Sequence, residues 1–213
     1  MNWRGYSSRW SKMAKGASIG EVRKKVTKTY ELITTSYHEA GHTVYALLHG
    51  MKVDSVCIFE HKIFKRIHGF TQYESSNTTE NCQITDFLEQ EIGLMYAGLL
   101  AEKYHFKMIS GSDQVPTFIK EGSSDDLLTV RQLIKKHNPA PAGGKRSAYK
   151  QAIIRKTIAL LVEHWGSVDV VAHALFKHKK LSYQDLRLLL TTRTKNRKFW
   201  RSIFKEIDRI FPE

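Results

Sequence analysis

The stretch that decides the fold is His38-Glu39-Ala40-Gly41-His42, an H-E-x-x-H pattern set among residues with helical spacing. Positions i and i+4 of an α-helix lie one turn apart on the same face, so the two imidazoles can bind one zinc ion together. Glu39 lies beside them, where its carboxylate can accept a proton from a metal-bound water. The pattern therefore predicts one zinc ion per chain, with His38 and His42 as ligands and Glu39 as the general base.

Apolar residues around this pattern recur every three or four positions, which is typical of a helix packed on a core. They are Ile33, Tyr37, Ala40, Gly41, Val44, Leu47 and Leu48. The helix is expected to run from about residue 34 to residue 49 and to end at Gly50, because glycine tolerates the left-handed conformation that often closes a helix. Gly41 lies inside the helix and indicates that something packs closely against the backbone next to the metal.

The rest of the chain predicts a mainly α fold with a small β element. Strand-forming residues are concentrated at residues 53–58 and 67–73. Helical spacing follows at residues 84–106, 125–136, 147–165 and 168–177, and a further helix begins at Ser182.

Length and composition bound the class of protein. The 213 residues fit one large domain or one domain with extensions, and 41% hydrophobic residues suffice for a core. No segment reaches the roughly 18–20 apolar residues of a membrane-spanning helix, and no apolar secretory signal is expected at the N-terminus. Cys57 and Cys82 form no CxxC pair and fit a reduced intracellular protein. We therefore expect a cytoplasmic location, with peripheral attachment to a membrane as an alternative.

The net charge of +13 is concentrated at the two ends of the chain. Residues 1–29 are basic and aperiodic, and they are expected to form a flexible arm. Residues 193–213 mix basic with large apolar residues and predict a basic amphipathic helix. Such ends attract nucleic acid, anionic membranes or acidic proteins, or they are solvated tails. For the C-terminal helix, packing of its apolar stripe on the domain is the favoured interpretation.

A catalytic zinc site needs a third protein ligand and keeps a fourth position for water. His49 is out of phase with His42 by about 100° on the helix, so it is expected to be an ordinary surface or core histidine. Glu60 and Glu74 accompany the strands, where a solvated role is the default. Two acids remain. Glu102 lies in an apolar helix, where an unpartnered charge is costly, and Asp126 begins a helix, where an acid also favours the positive end of the dipole. Spacing alone leaves these two equally open.

A family resemblance bears on this choice. Residues 36–42, S-Y-H-E-A-G-H, resemble the A-Y-H-E-A-G-H of the peptidase domain of FtsH-type ATP-dependent zinc proteases. Residues 98–102, G-L-L-A-E, resemble its G-R-A-A-E-E segment, and residues 124–127, S-D-D-L, resemble its S-N-D-L segment. The aspartate of S-N-D-L is the third zinc ligand in that family. The resemblance therefore implies that Asp126 is the third ligand and that Glu102 orients a ligand imidazole.

The likeness covers about residues 30–190 and implies more about the cleft. Gly69-Phe70-Thr71 stands where the family has an edge strand beside the active site, so these residues are expected to bind substrate. The segment 30–192 is accordingly expected to be an FtsH-type zinc metallopeptidase domain. Departures from the family include Ala97 for a glycine and Lys103 for the second glutamate of G-R-A-A-E-E.

The family normally carries membrane helices and an ATPase module of the AAA class, and this sequence contains no Walker A motif. The expected function is a zinc endopeptidase without its own motor, acting on unfolded or short polypeptides. One alternative is a catalytically silent zinc-binding regulatory or adaptor protein. Another is a partner subunit of a separate AAA ATPase. Family members form hexameric rings, so a homo-oligomer is a further expectation.

Overall fold

The computed structural model describes residues 19–61, 66–74, 84–112, 123–137 and 146–212. The chain is mainly helical with a small three-stranded antiparallel sheet, which confirms the predicted fold class at that level. In chain order the elements are α1 (Ile19–Leu48), β1 (Lys52–Glu60), β2 (Ile67–Glu74), α2 (Ile84–Ser110), α3 (Ser124–His137), α4 (Arg146–Glu163), α5 (Trp165–His178), β3 (Lys180–Ser182), α6 (Tyr183–Arg193) and α7 (Arg197–Ile210).

Helix α1 is the centre of the fold, because α2, α5 and the sheet all pack against it. Its side chains Ala40, Val44 and Leu47 are fully buried. Gly41 lies where α2 crosses: a Cβ atom there would lie 2.5 Å from the Ala97 carbonyl oxygen. The close packing expected from Gly41 is therefore confirmed, and it brings the backbone of α2 against the helical turn that carries the two histidines.

The N-terminal boundary of α1 corrects the predicted flexible arm of residues 1–29. The helix begins at Ile19, so residues 19–29 belong to α1, while residues 1–18 lie outside the described part of the chain. Two physical causes extend the helix. A packed helical segment propagates into neighbouring residues at little cost when these are good helix formers such as lysine and glutamate. Lys28 Nζ also pairs with Glu60 Oε2 of β1 at 2.5 Å.

The sheet has the strand order β2-β1-β3, so β2 lies at an edge. The two predicted strands are present and pair antiparallel, with an irregularity between Val53 and Ser55. The third strand was not predicted, because three residues between two helices carry too short a pattern to recognise. Within the described residues no strand pairs with the outer edge of β2, and β2 residues including Gly69, Phe70 and Thr71 line the cleft described below.

The C-terminal helix α7 packs into the same core as α1 and α5. Trp200, Phe204 and Ile207 are at most 1% exposed, and Trp200 Nε1 donates a hydrogen bond to Ser167 Oγ of α5 at 2.9 Å. The apolar stripe predicted for residues 193–213 therefore packs on the domain, which confirms the favoured interpretation. Residue 193 is the end of α6, and α7 begins at Arg197.

Among the described residues, no single helix is long and apolar enough to cross a membrane. The pair α4 and α5 reaches that length and composition only when taken together, and it is bent by 77°.

Candidate metal centre

Three side chains from two helices converge on one point. α1 contributes His38 and His42, whose Nε2 atoms lie 2.9 Å apart. α3 contributes Asp126, whose Oδ2 lies 3.0 Å from His38 Nε2 and 3.4 Å from His42 Nε2. Zinc bonds of about 2.0–2.1 Å at tetrahedral angles put ligand atoms roughly 3.3 Å apart, close to these separations. The described residues therefore contain a buried His38–His42–Asp126 group that could hold a metal ion.

The hydrogen-bonding atoms of this group also indicate a cation. His42 Nδ1 lies 2.8 Å from the Leu94 carbonyl oxygen of α2. A carbonyl can only accept a hydrogen bond, so His42 Nδ1 carries the hydrogen and the neutral ring has its lone pair at Nε2. That lone pair faces His38 Nε2, and both face a carboxylate oxygen. A hydrogen on His38 Nε2 can be donated to Asp126 Oδ2 or shared with His42 Nε2, whereas a divalent cation accepts a lone pair from all three atoms.

The pKa values of His38 and Asp126 are also shifted, because charged groups lie close together in this site. Burial lowers the pKa of His38, but its contacts with Asp126 and Glu102 outweigh burial and raise this pKa well above its ordinary value. Burial raises the pKa of Asp126, but the two imidazoles outweigh it and hold this pKa well below its usual range. Asp126 is therefore ionised, as a ligand carboxylate must be.

Glu102 lies on the far side of His38 from Asp126. Its Oε2 is 3.7 Å from His38 Nδ1, and this buried oxygen has no hydrogen-bond partner among the described residues. Burial raises the pKa of the Glu102 carboxyl. The two acids that spacing alone left open thus have different places: Asp126 faces Nε2 of His38, and Glu102 faces Nδ1 of the same ring. Glu102 is placed to hold the orientation of that ring.

Gly98 of α2 is a residue whose role sequence reasoning missed. A Cβ atom at this position would lie 2.5 Å from His42 Nε2 and 2.6 Å from His38 Nε2. Only glycine therefore lets α2 pass beneath the two imidazoles and leaves space at their Nε2 atoms. The available signal was a glycine inside an apolar helix, one turn before Glu102, where it costs about 0.5–1 kcal/mol relative to alanine.

Glu39 lies beside these three side chains, and a residue of the sheet forms a hydrogen bond with its carboxylate. Thr71 Oγ1 of β2 donates a hydrogen bond to Glu39 Oε2 at 2.6 Å. Gly69 leaves space for the same carboxylate, because a Cβ atom there would lie 2.6 Å from Glu39 Cδ. The side chain of Thr71, expected to bind substrate, is therefore engaged by Glu39. The other oxygen, Glu39 Oε1, has no hydrogen bond to a described residue.

A cleft of ≈ 510 Å³ opens over this group. One wall is β2, from which Phe70 projects with 56% of its surface exposed, and the opposite wall includes Ser124 and Asp125 at the start of α3. His38, Glu39 and Asp126 all line the same cleft. The cleft therefore brings together the group that could hold a metal ion, the Glu39 carboxylate and the edge strand β2.

Three residues that were not expected to be ligands lie away from this group: His49, Glu60 and Glu74. His49 stacks on Tyr45 and its Nδ1 bonds to the Tyr45 carbonyl oxygen at 2.9 Å. Glu60 pairs with Lys28, and Glu74 is exposed at the end of β2. None of them belongs to the His38–His42–Asp126 group.

Comparison of the chain with protein-family models and with curated proteins found no match. The chemistry of the site is therefore argued from its own residues.

Proposed function

We propose that this chain is a zinc-dependent endopeptidase that acts on unfolded or short polypeptides. The observation that carries the proposal is the convergence of His38 Nε2, His42 Nε2 and Asp126 Oδ2 with the Glu39 carboxylate beside them. Two imidazoles, one carboxylate and an adjacent glutamate are the residues that an H-E-x-x-H peptidase needs. The resemblance to the peptidase domain of FtsH-type proteases supports the same assignment, with zinc as the metal.

Each residue then has a stated task. Zinc bound by His38, His42 and Asp126 would supply a Lewis acid and bring the pKa of a coordinated water toward ~7. Glu39 Oε1 accepts the proton of the attacking water and returns it to the leaving amine. Thr71 holds the other oxygen of Glu39, so the carboxylate keeps one orientation through both transfers. Leu94 and Glu102 fix the two imidazole rings from behind.

The substrate class follows from the cleft. An extended peptide can pair with the unpaired backbone of β2 and run past Glu39, which provides affinity through main-chain hydrogen bonds and little sequence selectivity. A folded protein cannot present its backbone in this way. The proposed substrates are therefore unfolded chains and short peptides, unless a separate AAA ATPase supplies unfolded chains.

The test is hydrolysis of fluorescently labelled, unfolded casein by the purified chain, together with its metal content. We expect activity that is lost with a chelator and restored by zinc. Glu39→Gln should keep the metal and lower kcat by about 10²–10⁴, because it removes a general base. Glu60→Gln is the matched control, because it makes the same chemical change in the surface pair with Lys28 and should leave kcat unchanged.

The alternatives predict other results. A regulatory or adaptor protein would bind zinc and show no hydrolysis of casein. A partner subunit would show hydrolysis only when its ATPase is added. Hydrolysis that survives complete removal of the metal, or that persists in Glu39→Gln, rules out the proposed mechanism.

A further inference from the structure

A strongly basic surface lies at the corner between α6 and α7. The segment from Arg193 to Lys205 contains six basic residues and no acid: Arg193, Lys195, Arg197, Lys198, Arg201 and Lys205. All six are exposed. We call this set the α6–α7 basic surface.

The acids of α7 do not neutralise this surface. Glu206 pairs with Arg209, and Asp208 pairs with Arg187 of α6 at 2.8 Å. In the part of the chain that the structure describes, no carboxylate forms an ion pair with Arg193, Lys198 or Arg201. The positive charge is therefore available to an external anion.

The placement of these charges opposes the stability of α7. Arg197 and Lys198 occupy its first turn, where no acid is present. Cations are unfavourable at this end of a helix, because the macrodipole is positive there. Mutual repulsion among six neighbouring cations adds to this cost. Stability of the fold does not account for the arrangement, whereas binding of a polyanion would remove both penalties.

The shape of the surface and one aromatic residue select the kind of polyanion. Residues 193–199 line a concavity of ≈ 750 Å³. Phe199 is 40% exposed at this concavity, and its ring rests on His164, with the ring centroids 5.1 Å apart. A cationic groove with an exposed, supported aromatic ring is the usual construction for binding single-stranded nucleic acid, in which phosphates meet cations and a base stacks on the ring.

A membrane surface fits these observations less well. An amphipathic helix that lies on a bilayer inserts its apolar face. The apolar face of α7 is already buried in the core through Trp200, Phe204 and Ile207. We propose that the α6–α7 basic surface binds single-stranded nucleic acid through the phosphate backbone, with Phe199 stacking on a base.

The test measures anisotropy of a fluorescein-labelled oligo(dT) with the full chain, titrated between about 50 and 200 mM salt. We expect log Kd to change linearly with log salt, with a slope of magnitude about 2 for three phosphate contacts. The double variant Lys198→Glu/Arg201→Glu should weaken binding by about tenfold or more and reduce that slope. Phe199→Leu should weaken binding about fivefold and leave the slope unchanged.

The matched control is Lys135→Glu/Lys136→Glu on α3, which changes the net charge equally at exposed positions outside the surface. It should bind oligo(dT) within about twofold of the unaltered chain. Equal weakening by the two double variants would show that net charge alone is responsible and would overturn the proposal. Tighter binding to vesicles of anionic lipid than to oligo(dT), with Phe199→Leu affecting only the vesicles, would overturn it in favour of a membrane.

Discussion

Two clusters of histidines and carboxylates begin at adjacent buried residues of α1, and they satisfy their hydrogen-bonding atoms in different ways. The candidate metal centre, His38–His42–Asp126, begins at His38. The second, which we call the Tyr37 cluster, consists of Tyr37, His105, Trp165, Asp169 and His173. Both bury ionisable groups between α1 and its neighbours, so burial alone does not separate a functional site from a structural one.

In the Tyr37 cluster the acceptors have donors. Tyr37 Oη donates to Asp169 Oδ1 at 2.5 Å, and His173 Nδ1 bonds to the Asp169 carbonyl oxygen at 2.7 Å. His105 stacks on the Tyr37 ring with the ring centroids 3.6 Å apart. In the candidate metal centre one hydrogen, on His38 Nε2, faces two acceptors, His42 Nε2 and Asp126 Oδ2. The comparison teaches that the shortage of donors, and not the presence of buried histidine, identifies the candidate site.

The largest expected effect comes from deleting one histidine of each cluster and comparing the two variants. His42→Ala removes one of the three proposed ligands, so we expect zinc per chain to fall below about a tenth of its original value and peptidase activity to be lost with it. His173→Ala deletes the same side chain from the Tyr37 cluster. It should keep the zinc and lower the free energy of unfolding by about 1–3 kcal/mol, because Asp169 loses a donor. Elemental analysis measures zinc per chain, and urea unfolding measures the free energy of unfolding. Equal loss of zinc in the two variants would contradict the proposed difference between the two clusters.

The next largest effect is the loss of folding stability that His105 should cause at acid pH. Burial, with a smaller effect from His173, lowers the pKa of His105 from 6.5 to about 4. Between these values the unfolded chain binds more protons at this residue than the folded chain, so stability is lost as pH falls from 6.5 toward 4. The loss reaches about 3 kcal/mol at the lower end.

His105→Phe keeps an aromatic ring against Tyr37 and cannot titrate. We expect the unfolding free energy of this variant to depend less on pH between 4 and 6.5, by about 3 kcal/mol in total, when both proteins are metal-free. Parallel curves for the two proteins would show that His105 is protonated equally in the folded and unfolded states.

Gly98→Ala should disturb the metal centre without removing a ligand. The added Cβ would meet both ligand imidazoles, and displacement of a reacting group by about 1 Å costs roughly a hundredfold in rate. We expect a comparable loss of kcat/KM together with weaker zinc binding. Gly166→Ala in α5 is the matched control, because a Cβ there meets nothing within 4 Å. It should stabilise α5 by about 0.5–1 kcal/mol and leave zinc binding unchanged. Normal zinc affinity in Gly98→Ala would show that α2 can move away.

Periodicity and the H-E-x-x-H pattern were sufficient for the coarse fold and for half of the site. Helical spacing around His38 and His42 identified α1, and alternating strand formers identified β1 and β2, because those patterns reflect one buried face in each element. The start of α1 was missed, since the helical spacing of Ile19, Val22 and Val26 was overlooked among the basic residues around them.

The rest of the site depends on contacts between distant residues. Spacing could not decide between Asp126 and Glu102, because both lie on other helices whose approach to α1 is set by packing. The Leu94 carbonyl carries no signal in the sequence, since every residue has one. The hydrogen bond from Thr71 to Glu39 requires the edge strand to lie over α1, which no local pattern contains.

The smallest effect should reveal the different purposes of two acids, the buried Glu102 and the partly exposed Asp169 that bonds to Tyr37. Glu102→Gln keeps the volume and removes a buried charge that has no hydrogen bond at Oε2. We expect zinc affinity to fall by about ten- to a hundredfold, because His38 loses the group that orients it. The metal-free variant should nevertheless unfold at a higher urea concentration, because burying an unsatisfied carboxylate is costly.

Tyr37→Phe is the counterpart in the other cluster, because it removes one donor from Asp169 and leaves the ring in place. It should lower the free energy of unfolding by about 1.5–3 kcal/mol and leave zinc affinity unchanged. The two variants thus move stability in opposite directions, and only Glu102→Gln moves zinc affinity. If the metal-free Glu102→Gln protein were less stable than the unaltered chain and bound zinc normally, Glu102 would be a structural acid like Asp169. A group whose role is to support the metal is expected to cost stability when the metal is removed.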